Sequence, residues 1–143
     1  MRKVFLDFNI LLDLIDTKRD ISSKTIEFIM NLKGNYKVSF YTSSNFVYTI
    51  SFILRKNNNQ EIINYIKTII EELELNLVDF KTNILTISEL FLDKTKLNDL
   101  EDILMIFTAI EYNCNFFLTN DKEILNNRKD FENSISIITP QEF

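Results

Sequence analysis

Residues 3–15, KVFLDFNILLDLI, decide how the chain is read. KVFLDF has the short apolar run of a strand, Val4, Phe5 and Leu6, and NILLDLIDT has the pattern of a short helix. Asp7 and Asn9 interrupt the apolar pattern at the junction. A buried Asp is costly unless hydrogen bonds or a cation compensate it. Asp7 therefore either caps the helix that follows or belongs to a site.

The same alternation runs through the rest of the chain. KVSFY, LNLVDF, NFFLTN and SISIITP read as four further strands. Between them, ISSKTIEFIMNLKG has apolar residues at 26, 28, 29 and 32 and predicts an amphipathic helix ended by Gly34. SSNFVYTISFILRK, QEIINYIKTIIEELE, KTNILTISELFLDK and LEDILMIFTAIEYN predict four more helices. Strands that alternate with helices imply a mostly parallel sheet of about five strands, covered on both faces: an α/β fold, as a three-layer α/β/α sandwich. A chain of 143 residues with one Gly, one Pro and no internal repeat fits one domain over residues 1–143.

Composition removes whole classes of chemistry. There is no histidine, so Ser-His-Asp hydrolysis, histidine acid–base catalysis and the usual zinc sites are excluded. The single cysteine, Cys114 in EYNCNFF, excludes an internal disulfide, suits a reducing compartment and reads as a packed thiol. No stretch is long and apolar enough for a membrane span, and MRKVFLDF meets Asp7 too early for a signal peptide, so a cytoplasmic location is expected. The net charge is −5, unevenly spread: residues 1–56 hold nine Lys/Arg against five Asp/Glu, and the remainder is acidic. That balance disfavours tight non-specific nucleic-acid binding but leaves room for a local basic rim at Lys18, Arg19, Arg55 and Lys56.

In open parallel sheets, ligands bind beyond the carboxyl ends of the strands. Asp7 ends the first strand and Asp121, in FFLTND, follows the fourth, so both belong to one sheet edge. Asp99 and Asp102 stand three residues apart at the start of a strongly apolar helix and share a face there. Were that helix to begin at the same edge, Asp7, Asp99, Asp102 and Asp121 would converge. Carboxylates held together need protons or a cation, and oxygen-only donors select hard ions such as Mg²⁺ or Mn²⁺. Such ions can activate water and stabilise in-line displacement at a phosphodiester.

The ordered set LDFNILLDLI, NDLEDILMIFTA, CNFFLTND and ISIITPQEF resembles PIN domains, the metal-dependent ribonuclease fold of VapC-type toxins, and closest a bacterial branch whose third acidic motif reads D-x-E-D. The resemblance implies Asp7, Asp102 and Asp121 as metal ligands and catalytic acids, Asp99 and Glu101 as extra acids of the branch, and Asn9 as the polar residue after the first acid. It also implies an Mg²⁺- or Mn²⁺-dependent endoribonuclease with an RNA substrate, an antitoxin partner, a homo-oligomeric state and no membrane association. In the second motif, within VSFYTSSNFVYTI, many PIN nucleases have a Glu where this chain has Asn45.

Each residue also has a plainer reading. Asp7, Asp99 and Asn45 suit helix caps, and Thr119 and Asn120 suit a turn, although the Thr119 hydroxyl could orient Asp121 or a water. Asp13 reads as a surface charge, and Glu101, about a hundred degrees around the helix from Asp102, as solvent-facing. Phe46, Tyr48, Phe52 and Tyr65 form a candidate exposed patch for a dimer or an inhibitory partner. Two other functions stay open. With Asn45 in place of an acid, the domain could bind RNA or protein without cutting. DFNILLD also loosely resembles the first motif of haloacid dehalogenase phosphatases, which expects Asp where Asn9 stands.

Overall fold

The computed structural model describes residues 1–15, 22–46, 48–50, 52, 60–83, 85, 89 and 94–143. The basic positions Lys18, Arg19, Arg55 and Lys56 lie outside the described residues, as does most of the helix expected over 81–94. The order is β1 (Arg2–Leu6), α1 (Phe8–Ile15), α2 (Ser22–Asn35), β2 (Val38–Ser43), α3 (Gln60–Glu72), β3 (Asn76–Val78), α4 (Leu100–Glu111), β4 (Phe116–Leu118), α5 (Lys122–Asn126) and β5 (Ser136–Ile138). Residues 45, 46, 48–50 and 52 are helical between β2 and α3. Two 3₁₀ turns, Arg128–Phe131 and Pro140–Glu142, flank β5.

All five strands are parallel, in the order β3-β2-β1-β4-β5. Successive side chains of a strand point to opposite faces, and both faces are buried here. Val4, Leu6, Phe40 and Leu118 pack with Ile10, Leu11, Ile29 and Leu32 of α1 and α2. Phe5, Val78, Phe117 and Ile137 pack with Ile103, Ile106 and Ala109 of α4. Phe5 and Phe117, paired across the two central strands, stack with ring centroids 5.5 Å apart. The result is the three-layer sandwich expected from the alternating pattern.

The order of strands matters for the site. From central β1 the chain winds outward through β2 and β3, then returns to place β4 and β5 on the other side. The direction of winding therefore reverses between β1 and β4, and crevices at such reversals receive ligands in open α/β sheets.

Two expectations change. Gly34 does not end α2: the helix continues through it to Asn35, and no glycine has positive φ. Phe46 is not on an exposed patch. It is 3% exposed and meets Phe8 edge-on at 5.7 Å, whereas Tyr48, Phe52 and Tyr65 are exposed. No helix among the described residues is long and apolar enough to cross a membrane.

Candidate active site

The strand-to-helix junction at Asp7 is built from the backbone outward. The Asp7 N–H donates to the carbonyl of Leu118 at 3.0 Å, continuing the β1–β4 pairing past the end of β1. Its own carbonyl accepts from Ile10 and Leu11 at 3.1 and 3.2 Å, so it also opens α1. The carboxylate is 3% exposed. Oδ1 accepts from the N–H of Phe8 at 2.6 Å and Oδ2 from the Thr119 hydroxyl at 2.6 Å. An ordinary cap side chain reaches the second or third N–H of its helix. Asp7 reaches only the first and is held from across the sheet instead.

Thr119 is the hub of this junction. Its Oγ1 donates to Asp7 and accepts from Asn9 Nδ2 at 3.2 Å and from the N–H of Asp121 at 2.9 Å, which uses its full hydrogen-bonding capacity. Asn9 Oδ1 accepts from the N–H of Asn120 at 3.1 Å. Asp121 caps α5, its Oδ1 accepting from Glu123 and Ile124 at 2.7 and 3.3 Å. Among the described residues its Oδ2 takes no hydrogen bond.

Asp13 differs from expectation. It is fully buried, not a surface charge. Its Oδ2 accepts from Asn120 Nδ2 at 3.0 Å and from the Thr25 hydroxyl at 3.3 Å, tying α1 and α2 to the turn after β4. Nothing in the local pattern distinguished it from a solvated charge, because the group that buries it comes from the far end of the chain.

The third contribution comes from α4. Asp99 is its N-cap, with Oδ1 accepting from Glu101 N–H at 2.8 Å, and half-buried Asp102 follows in the first turn. Burial, and then the charges of Asp7, Asp99, Asp121 and Glu123, raise the Asp102 carboxyl to about 7. Asp7 is raised to about 6, first by burial and then by Asp121 and Glu101, against the lowering effect of its bonds from Thr119 and Phe8. The start of α4 thus meets the edge carrying Asp7 and Asp121. Glu101 and Glu123 add to the same negative field; Glu101 is exposed, as the helical spacing predicts, and Glu123 is an acid that the sequence motifs do not single out. Cys114 is buried and its thiol is pushed up to about 12, which keeps it protonated, as a packed thiol should be.

The PIN domain family model matches residues 4–130. The chain belongs to the PIN domain family. It is 29% identical over 142 residues to Ribonuclease VapC1 of Aquifex aeolicus (strain VF5), covering 99% of this chain and 92% of that protein. Among solved structures it resembles VapBC2 from Rickettsia felis bound to a DNA fragment from their promoter, with a TM-score of 0.66, 16% identity, and coverage of 96% of this chain and 98% of that one. It also resembles a toxin–antitoxin complex from Klebsiella pneumoniae, with a TM-score of 0.58, 19% identity, and coverage of 96% and 97%.

PIN ribonucleases generally use a divalent metal. The donors present suit one chemically: Asp7, Asp102 and Asp121 are oxygen ligands, and the charges that raise Asp7 and Asp102 are all acidic. A cation would offset the burial, and after it the repulsion, that now favour protonation of Asp7 and Asp102. The geometry is looser than the chemistry, because no three carboxylates among the described residues form a ready metal cage. Asn45, which the sequence resemblance assigns to the second motif, is exposed. It lines a pocket beside this edge together with Glu101.

Proposed function

We propose that this PIN domain is an Mg²⁺- or Mn²⁺-dependent endoribonuclease, spanning residues 1–143 as one domain, and the toxin of a toxin–antitoxin pair. The observation that carries this reading is a buried Asp7 at the winding reversal of the sheet, raised to about 6 amid acidic neighbours alone. Carboxylates so perturbed cluster at functional sites. The ribonuclease relative and the toxin–antitoxin neighbour point the same way.

In this mechanism Asp7, Asp102 and Asp121 would hold the ion, and Asp99 would add negative charge from the cap of α4. When bound, a divalent ion would supply positive charge against the phosphodiester and lower the pKa of a water there. Thr119 fixes Asp7 through Oδ2 and the turn of Asp121 through its N–H, so both acids keep one spacing as substrate enters. Asn9 locks that turn to α1 through Asn120. The absence of histidine fits water as the nucleophile, a route whose products carry no cyclic phosphate.

The test is cleavage of a mixed RNA pool by purified protein in Mn²⁺, Mg²⁺ or EDTA, beside Asp102→Asn. Cleavage that needs metal and is lost in the variant supports the reading; metal-independent cleavage, or cleavage retained in the variant, overturns it. A second reading, RNA or protein binding without turnover, is favoured by Asn45 and by the loose spacing of the acids. It predicts that wild type binds Mn²⁺ without cutting RNA, and that Asn45→Glu tightens Mn²⁺ binding in calorimetry.

A basic antitoxin segment lying against the acidic edge would neutralise the site and block substrate together. Co-expression with a neighbouring-gene product that leaves cleavage unchanged would sink that part. Exposed Tyr48, Phe52 and Tyr65 are the surface proposed for self-association.

A further inference from the structure

A pocket of about 100 Å³ opens beside the acidic edge, between the end of β2 and the first turns of α4. Phe8, Phe46 and Phe80 make its apolar wall, and Asn45 and Glu101 stand on its polar rim. It is continuous with the proposed cutting site in two ways: Phe8 directly follows Asp7, and Glu101 lies near enough to raise the Asp7 carboxyl. Its mouth is fixed by pairing at the end of the sheet. The N–H of Ser44 donates to the carbonyl of Val78 at 3.0 Å, and the Ser44 hydroxyl donates to Asp79, which holds together the two segments that bring Asn45 and Phe80 to the pocket.

Aromatic walls beside a polar rim suit an unstacked nucleobase. Size selects among the bases. This pocket is smaller than the apolar cavity of about 150 Å³ that encloses one benzene ring, so through its open mouth it takes only the edge of a single ring, with the sugar left outside and less room again for a purine. Charge selects again. The Glu101 carboxylate on the rim favours an edge that presents an amino group over one that presents a carbonyl. A carboxylate accepts from the N4 amino group of cytosine, whereas uracil offers O4, an acceptor, at that position.

We propose that this pocket binds a cytosine next to the scissile phosphate and makes cleavage cytosine-selective over uracil; the assignment rests on the ribonuclease reading above. Glu101 accepts from the cytosine amino group, Asn45 meets the remaining polar edge, and Phe80 supplies the stacking face.

The experiment maps cuts in a mixed RNA by sequencing the ends, for wild type, Glu101→Gln and Phe80→Leu, each shown folded by circular dichroism. In parallel, anisotropy measures binding of 2′-O-methyl oligonucleotides that differ by one cytosine or uracil. Wild type is expected to favour cytosine over uracil by about tenfold at one position flanking the cut. Glu101→Gln, whose amide can donate to O4, moves the ratio toward uracil, and Phe80→Leu lowers use of that position for both pyrimidines. Cleavage with no cytosine preference, or with a preference unmoved by Glu101→Gln, overturns the pocket while leaving the ribonuclease standing. Absence of cleavage with cytosine-selective binding retained defeats the ribonuclease and leaves the pocket. Absence of both defeats the two together.

Discussion

At the residue scale the decisive side chain is Thr119, because one hydroxyl serves Asp7, Asn9 and the N–H of Asp121. Thr119→Val keeps the shape and removes all three bonds, so it should cost about 1–3 kcal/mol in urea unfolding. Losing a bond that lowers the Asp7 carboxyl also raises Asp7 further, which moves the acidic limb of the pH–rate profile to higher pH. Thr119→Ser should restore both. Asp7 and Asp102 set a second expectation. They release protons near 3.8 when unfolded but only near 6 and 7 when folded. Between those values the folded state holds more protons, so metal-free protein loses stability as pH rises from about 4 to about 7. Thermal melts in EDTA at pH 5 and pH 8 check the sign. Mn²⁺ should stabilise more at pH 8, where it does not compete with protons, and Asp102→Asn should melt higher than wild type in EDTA while losing cleavage. Asp7, Asp99, Asp102 and Asp121 were legible because each stands at an element boundary where an apolar pattern breaks. Asp13 was not, since only tertiary packing separates a buried carboxylate from a solvated one at the same helical spacing.

At the element scale the strands and the long helices followed from their apolar period, and the misreadings lie at ends and short pieces. A glycine near a helix end is a common stop signal, but Gly34 keeps a helical backbone, and a Cβ there would meet nothing within 4 Å. Gly34→Ala should therefore stabilise by about 0.5–1 kcal/mol, seen as a higher urea midpoint with unchanged slope. The five-residue α5 went unseen because so short a helix has little periodicity of its own; Asp121 makes it a helix by capping it. Asp121→Ala should fray that helix as well as remove an acid, so Asp121→Asn, which keeps a capping oxygen, is the cleaner test of charge. Loss of cleavage in Asp121→Asn with an unchanged melting midpoint would separate the two roles.

At the scale of the whole molecule the net charge of −5 sets how RNA is met. An acidic domain gathers few phosphate contacts, so its RNA affinity should fall only shallowly with salt, with a slope in log–log form of magnitude below about 3. A steeper slope, measured with a non-cleavable oligonucleotide, would mean that a basic surface dominates binding. The winding of the sheet has a further consequence in time. Asp7 and Thr119, whose side chains meet at the heart of the site, are 112 positions apart in sequence. At about 5–20 residues per second of synthesis, roughly six to twenty seconds separate their emergence. The nascent chain thus carries Asp7 through most of its synthesis, yet the Asp7–Thr119 contact cannot form until Thr119 has left the ribosome.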